Sequence, residues 1–555
     1  MNLIPSLDWI KNYKKEWLSG DLSAGLTVGV MLIPQGMAYS MLAGLDPIYG
    51  LYAVTIPLLI YALLGTSRQL AVGPVAMVSL LIASGVGQLA TAGTDQYLAF
   101  AILLAFMVGA IQLTMGVFKL GFLVNFLSHP VIAGFTSAAA LIIGFSQFKH
   151  LLGIKVNGEK FVDIISQIFQ QLSNIHLLSF SIGIVAIILL VLVKKIHKLI
   201  PGPLIVVLLG ILIVSLGGLT EQGVKIVGEI PSGLPSFQLF AFDASAISSL
   251  LPTAFTIAFV GFMESIAVAK AIHARHKDYT LSANKELIAL GLANIGGSVF
   301  KSFPVTGGFS RTAVNDQAGA KTGLASIISA VLIILTLLFF TSYFYYLPNA
   351  VLAAIIIVAV YGLIDFKEAK HLFKTDKVDF YLFMAAAIGT LLLGIEEGIL
   401  LGVALSMAIL IYRVSYPHYA ELGQLKGTND FKNVKRFDHS EIKDEIAIMR
   451  FDAQLYFANT TYFKDKVIAI LAKRSNPKYF ILDGAAINYI DSSAVHALID
   501  IVQDLKKDGV TLLAANFIGP VRDIFEKTGL NTIIGEDKCF MTLQEAYQYA
   551  NNNLK

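Results

Sequence analysis

The chain is 555 residues long, and 56% of its residues are hydrophobic while 14% are charged. A soluble domain carries about 25% charged residues, so this composition excludes an ordinary water-soluble protein and favours the lipid bilayer as solvent. The net charge of +3 says little about partners, and the single cysteine, Cys539, excludes a disulfide framework within the chain.

Residues 1–20 combine both tryptophans, Trp9 and Trp17, with lysines such as Lys14. These residue types suit a cytoplasmic segment that lies at the membrane interface, and the segment lacks the pattern of a removable signal peptide.

Apolar stretches follow as far as about residue 412. They are centred near residues 28, 57, 82, 107, 134, 186, 209, 258, 292, 314, 331, 356, 387 and 405. Because a helix needs about 20 apolar residues to cross the hydrocarbon core, residues 21–415 are predicted to form a polytopic α-helical membrane domain with about 14 transmembrane segments.

Basic residues test this topology, because lysine and arginine are enriched in cytoplasmic loops. The loops expected on the cytoplasmic side are rich in basic residues and include Lys14, Lys198, Lys277 and Lys374. The opposite loops carry Lys149, Lys155, Lys160, Lys225 and Lys301. The bias predicts a cytoplasmic N-terminus, and the even number of segments places the C-terminal region in the cytoplasm as well.

Residues 421–555 have a different, charged and alternating composition. Short apolar runs at 446–451, 479–482 and 511–515 indicate strands, and the amphipathic stretches 461–472, 492–505 and 521–527 indicate helices. Strand and helix alternate, which predicts a small α/β domain with a largely parallel sheet.

Two apolar segments begin with residues that disfavour a continuous helix, at 72–77 (VGPVAM) and at 303–312 (FPVTGGFSRT). By the order of the segments these breaks open the third and the tenth, which are seven apart. Since seven is odd, the pattern predicts two inverted halves of seven segments each. Paired breaks at corresponding positions of two halves indicate a transporter binding site.

A half-helix that begins inside the membrane directs free backbone N–H groups and a positive dipole end at the gap. Two such starts facing each other are expected to bind a small oxyanion. The surrounding positions are Pro74, Val75, Ala76, Gly308, Phe309 and Ser310. Arg311 adds a full positive charge, and Thr306 and Thr312 add hydroxyl groups. The alternatives are that the Gly and Pro residues permit close helix packing and that Arg311 extends to the membrane interface.

The first segment contains Gln35 and Tyr39, which are candidate hydrogen-bond donors to the anion. Its counterpart seven segments later contains Glu264, the single acidic residue of that apolar stretch. A carboxylate in a site of low polarity can take up and release a proton. Glu264 is therefore a candidate for proton coupling, with Arg311 as its partner when the anion is absent. A permanent Glu264–Arg311 ion pair is the alternative.

Several of these motifs are similar to those of a known family. The segments are IPQGMAY at 33–39, DPIYGLY at 46–52, GTSRQLAVGP at 65–74, GF at 121–122 with SHPV at 128–131, and TGGFSRT at 306–312. The chain resembles the SulP family of sulfate permeases, which includes plant and bacterial sulfate transporters and vertebrate multi-anion exchangers. The resemblance implies seven plus seven inverted helices divided into a core and a gate, with the anion between the starts of the third and tenth helices.

Carried over by position, the resemblance implies site roles for Gln35, Tyr39, Ala76, Ser310 and Arg311. Glu264 falls where proton-coupled members have an acidic residue, although sodium-coupled and exchanging relatives exist.

The C-terminal region resembles a STAS domain at 455–459 (LYFAN), 481–484 (ILDG) and 490–494 (IDSSA). In anti-sigma relatives such a turn holds a phosphorylated hydroxyl, which makes Ser493 a candidate phosphorylation site. Asp491 also suits an ordinary helix N-cap, which is the favoured interpretation. Ala494 stands where glycine is usual. The domain is expected to mediate dimerisation or regulation.

The favoured function is sulfate uptake by proton symport in a plasma membrane, the inner membrane if the source is bacterial, by a homodimer. The alternatives are bicarbonate or dicarboxylate transport coupled to sodium or by exchange, an uncoupled anion channel, and a sensor with a membrane anchor. An enzyme is disfavoured. The sequence has no nucleotide-binding loop and no Cys/His cluster with metal-ligand spacing, so no cofactor or metal is expected, and nucleic-acid binding has no support.

Overall fold

The computed structural model describes residues 6–122, 128–156, 161–196, 201–239, 243–276 and 278–554. The chain divides into two compact units, Met1–Ser406 and Met407–Lys555. Residues 1–5 of the predicted interfacial segment and the predicted loop residues Lys160, Lys198 and Lys277 lie outside the described residues.

Helices dominate the chain up to residue 415. They are α1 (Ser6–Lys11), α2 (Trp17–Leu42), α3 (Pro47–Tyr52), α4 (Ile56–Leu64), α5 (Ala76–Gly87), α6 (Asp95–Val117), α7 (His129–Ser146), α8 (Phe148–Leu151), α9 (Phe161–Gln170), α10 (Leu177–Ile196), α11 (Gly202–Gly217), α12 (Ala244–His273), α13 (Ala283–Ser298), α14 (Phe309–Gln317), α15 (Leu324–Phe339), α16 (Asn349–Tyr361), α17 (Phe366–Thr375), α18 (Lys377–Leu393) and α19 (Ile395–Ser415). Two short strands are β1 (Val72–Gly73) and β2 (Thr306–Gly307).

Each of the fourteen predicted segment centres lies inside one of these helices, from residue 28 in α2 to residue 405 in α19. Among the described residues, six helical stretches are long and apolar enough to cross a membrane, and several apolar helices are shorter. The polytopic helical architecture is thereby confirmed. The division into seven plus seven inverted segments stays a prediction.

Close helix packing in the first unit depends on small residues. At the crossing of α6 and α13, a Cβ atom on Gly109 would lie 2.6 Å from the carbonyl oxygen of Gly291. Without a side chain at either position, the two backbones approach closely, which is a common solution where lipid gives no hydrophobic drive for helix association.

The two breaks found in the sequence meet in the interior of the first unit. Strands β1 and β2 pair antiparallel, with Val72 opposite Gly307 and Gly73 opposite Thr306. Helix α5 begins at Ala76 and α14 begins at Phe309, each shortly after its strand. This pairing brings the two helix starts to the same region of the unit.

The second unit is an α/β domain. Its elements are β3 (Tyr419–Leu425), β4 (Phe431–Asn433), β5 (Ser440–Glu441), β6 (Ile446–Phe451), α20 (Thr460–Leu471), β7 (Tyr479–Asp483), α21 (Ser492–Lys507), β8 (Thr511–Ala515), α22 (Gly519–Thr528), α23 (Leu530–Ile534), β9 (Cys539–Phe540) and α24 (Leu543–Asn552). The strands run in the order β4-β3-β6-β7-β8-β9, with β5 beside β3. Strands β6 to β9 are parallel and β3 is antiparallel to β6, so the predicted, largely parallel sheet is present.

Helix α21 begins at the IDSSA turn. The Asp491 carboxylate accepts hydrogen bonds from the backbone N–H of Ala494 at 2.8 Å and of Phe457 at 3.0 Å. Asp491 is thus an N-cap, and Ser493 lies exposed in the first turn.

Candidate anion-binding site

A cavity of about 640 Å³ lies inside the first unit, between helices α2, α5, α7, α12, α14 and α16. Nine of the twelve candidate residues that the sequence places in this unit line it: Gln35, Tyr39, Val75, Ala76, Glu264, Gly308, Phe309, Ser310 and Arg311. The other three, Pro74, Thr306 and Thr312, make hydrogen bonds within the protein, as described below. The structure therefore brings the sequence-predicted residues together around one space, and their roles in binding stay predictions.

The guanidinium of Arg311 is the central charge of this cavity. The residue is 3% exposed, and its Nη1 donates a hydrogen bond of 2.7 Å to the carbonyl oxygen of Pro74. Its Nε and Nη2 are buried and have no hydrogen-bond partner among the described residues. A buried donor of a charged group that has no acceptor destabilises the folded protein by several kcal/mol, because it has lost its hydrogen bonds to water. These two donors are therefore suited to an anionic acceptor.

Both helix starts leave backbone donors free. Helix α5 begins after Val75 and α14 after Gly308, and within the described residues neither start has a side-chain cap. The first N–H groups of a helix have no partner within the helix, and they carry the positive end of its dipole. The two starts and Arg311 together give the cavity several N–H donors and one full positive charge.

Hydrogen bonds fix the strand–helix junctions behind this surface. The backbone N–H of Gly308 donates to the carbonyl oxygen of Ala71 at 3.1 Å, and the N–H of Ala71 donates to the Thr312 hydroxyl at 3.0 Å. That hydroxyl donates in turn to the Gly308 carbonyl oxygen at 2.7 Å. The start of α14 is therefore held firmly against the strand that precedes α5.

Ser265, the neighbour of Glu264 on α12, supports the other strand. Its hydroxyl accepts a hydrogen bond of 2.7 Å from the backbone N–H of Gly307 and lies 2.6 Å from the hydroxyl of Thr306. The Thr306 hydroxyl donates to the Gly261 carbonyl oxygen at 2.5 Å. Thr306 and Thr312, which the sequence suggested as hydroxyl donors to the anion, thus make hydrogen bonds within the protein.

Glu264 lies on the cavity wall formed by α12. Its Oε2 is buried and has no hydrogen-bond partner among the described residues. In the part of the chain that the structure describes, Glu264 and Arg311 form no ion pair within 4.0 Å, and Arg311 binds the Pro74 carbonyl instead. This arrangement leaves both side chains available to a ligand or a proton.

Sequence reasoning missed the opposite wall and the charged rim of the cavity. Helices α7 and α16 contribute apolar residues such as Phe135 and Val360, and the lining also includes Lys270 and His129. His129 belongs to the SHPV motif, but neither that motif nor the periodicity of α16 indicates which space these helices face.

Residues 18–386 match the Sulfate permease family, and residues 439–546 match the STAS domain. The chain belongs to the sulfate permease family. Along 98% of its length it is 40% identical to "Sulfate transporter 4.1, chloroplastic" of Arabidopsis thaliana, covering 82% of that protein. It is 37% identical to "High affinity sulfate transporter 2" of Stylosanthes hamata, again over 98% of this chain, and it covers 86% of that relative.

Among solved structures, the murine Solute Carrier 26 family member A9 anion transporter in its inward-facing state is similar, with a TM-score of 0.92 and 29% identity. The match covers 99% of this chain and 94% of that one. The SulP and STAS resemblances are confirmed, and this sulfate permease family member is a membrane-embedded anion transporter and not an enzyme.

Proposed function

We propose that the protein takes up sulfate by secondary active symport with protons. The observation that carries the proposal is the pair of uncapped helix starts, α5 and α14, beside a buried arginine with two unpartnered N–H donors. Sulfate is favoured among oxyanions because several relatives are named sulfate transporters.

The anion binds between the helix starts. Backbone N–H groups of Ala76, Phe309 and Ser310 donate to its oxygens, as anions are bound at many helix N-termini. Arg311 supplies the charge that offsets the loss of hydration, and its planar guanidinium suits the paired oxygens of an oxyanion. Gln35 and Tyr39, which are 6% and 7% exposed, complete the polar lining from α2.

Glu264 couples transport to protons. A divalent anion bound next to an ionised Glu264 brings three negative charges together in a cavity that is lined by one buried arginine, Arg311. Like charges at short range in a poorly hydrated space repel by several kcal/mol, so binding of the anion favours the protonated carboxyl. Proton and anion then cross together, and release of one favours release of the other.

The basic loops favour a cytoplasmic N-terminus and a cytoplasmic STAS domain in a plasma membrane, the inner membrane in a bacterium. The protein acts as a homodimer, and its STAS domain is regulatory. The domains are the N-terminal interfacial segment 1–20, the transmembrane domain 21–415 and the STAS domain 421–555.

The test is uptake of radiolabelled sulfate into proteoliposomes with and without an inward proton gradient. The wild type is expected to accumulate sulfate above equilibrium only with the gradient. Glu264→Gln is expected to lose this accumulation while it still exchanges sulfate across the membrane, because a neutral amide carries no proton. Glu221→Gln, at an exposed position after α11, is the matched control and should behave as the wild type.

Three results count against the proposal. Gradient-driven accumulation by Glu264→Gln at the wild-type level would remove Glu264 from coupling. Absence of sulfate uptake by folded wild-type protein would remove sulfate, and bicarbonate and dicarboxylates with a sodium gradient or by exchange would be tested next. Dissipation of every imposed sulfate gradient would instead indicate a channel.

A further inference from the structure

A second positively charged residue, Lys270, lines the cavity in addition to Arg311. Val260, Met263, Glu264, Ala267 and Lys270 of α12 all line it. Their spacing of three and four residues places them on one face of the helix. Lys270 lies six residues after Glu264, which corresponds to about 9 Å along the helix axis.

Lys270 is exposed and close to the end of α12, which ends at His273. In the part of the chain that the structure describes, Lys270 forms no ion pair within 4.0 Å. No described carboxylate therefore neutralises its ammonium group, and Lys270 lines the same cavity as the proposed anion site.

The other basic residue of the lining is different. The His129 side chain is 74% exposed, and its Nδ1 lies 3.3 Å from Oε1 of Glu368 on α17. Any positive charge on His129 is thus offset by an adjacent carboxylate. Among the described lining residues, Lys270 is thus a permanent positive charge without an adjacent carboxylate.

We propose that Lys270 is an anion-recruiting residue at the mouth of the cavity on the side predicted to be cytoplasmic, and that it attracts the oxyanion that enters or leaves the Arg311 site through that mouth. The inference rests on the proposed function only in assuming that the anion passes through this cavity. It applies to sulfate and to any other anion that the protein carries.

Coulomb's law sets the size of the effect. For a divalent anion about 10 Å from one positive charge in water, the attraction corresponds to roughly a four-fold increase in local concentration without salt and about three-fold at 0.01 M salt. The screening length falls from about 30 Å at 0.01 M salt to about 10 Å at 0.1 M, so the gain should fall below about two-fold at the higher concentration.

The test is the KM for sulfate presented on the side predicted to be cytoplasmic, measured as sulfate exchange in proteoliposomes of known protein orientation. Wild type, Lys270→Gln and Lys270→Arg are compared at both salt concentrations, with a counter-anion that is not transported. Lys270→Gln is expected to raise KM roughly three-fold at the lower salt and less than two-fold at the higher. Its maximal rate should be unchanged. Lys270→Arg should resemble the wild type. The matched control, Lys374→Gln, replaces an exposed lysine on α17 that does not line the cavity.

An unchanged KM for Lys270→Gln would overturn the inference. A salt-independent increase, or an equal defect in Lys270→Arg, would indicate a packing role and would overturn it as well. If the wild type carries no sulfate, the sulfate proposal fails by itself. The same variants are then compared with the anion that is carried, and a monovalent anion should show about a two-fold effect at low salt.

Discussion

The position of the Arg311 guanidinium depends on the absence of a side chain at Gly308, the residue before α14. A Cβ atom at Gly308 would lie 2.7 Å from Nη2 and 2.8 Å from Cζ of Arg311. Since unstrained contacts between such atoms are about 3.5 Å or longer, Gly308→Ala must displace the guanidinium by about 1 Å. The far end of a flexible side chain can move in this way, so the protein should still fold.

That displacement is enough to break the 2.7 Å hydrogen bond from Nη1 to the Pro74 carbonyl. A hydrogen bond made by a charged group contributes about 1.5–3 kcal/mol, so misplacement of the guanidinium should lower kcat/KM for sulfate by about ten- to one-hundred-fold. The assay is initial-rate sulfate uptake in proteoliposomes, with thermal unfolding as the check on folding.

Gly87→Ala is the matched control, because a Cβ atom at Gly87, the last residue of α5, has no atom within 4 Å. It should transport as the wild type does. If folded Gly308→Ala also transports at the wild-type rate, the position of the guanidinium does not govern transport and the assignment of Arg311 is refuted.

Three further changes test the supporting contacts. Ser265→Ala leaves the buried N–H of Gly307 without its acceptor and should lower the free energy of unfolding by about 1–3 kcal/mol, seen as a lower melting temperature. Asp491→Ala removes a helix cap and should destabilise the C-terminal domain by about 1 kcal/mol, whereas Ser493→Ala should not; equal melting of both variants would contradict the cap. Burial raises the pKa of Asp483, so its ionisation as pH rises above about 4 lowers the stability of the folded domain. Asp483→Asn should therefore raise the melting temperature of that domain at pH 7 more than at pH 4, and a pH-independent difference would count against this linkage.

Most of the architecture could be predicted from the sequence, because a helix that crosses the bilayer needs a long apolar run and a strand shows an alternating pattern. Apolar length alone located all fourteen segment centres, and alternation located β6, β7 and β8. Helix α17 and helix α9 were not foreseen, since short amphipathic helices give no membrane-length signal. Helix α2 begins at Trp17, inside the segment predicted to lie at the interface, because Trp and Lys do not themselves fix a helix start.

The site could be predicted as far as its local chemistry reaches. Gly and Pro within apolar segments, together with a nearby arginine, are sufficient to predict the two helix starts from the sequence. The rest depends on tertiary packing. Nothing in the sequence near Phe135 or Lys270 indicates that these residues line the same cavity as Arg311. The buried Glu286 is a similar case: it accepts hydrogen bonds from Tyr61 and from the Thr66 and Ser67 backbone, more than 200 residues away in sequence.

The most direct test of the central claim is the position of a bound oxyanion. Selenate is a close analogue of sulfate, and its selenium can be located by anomalous scattering from crystals of the protein. The account predicts one selenium peak between the starts of α5 and α14, within hydrogen-bond reach of the Arg311 guanidinium. A peak elsewhere, or none at selenate concentrations that saturate inhibition of sulfate uptake, would contradict it.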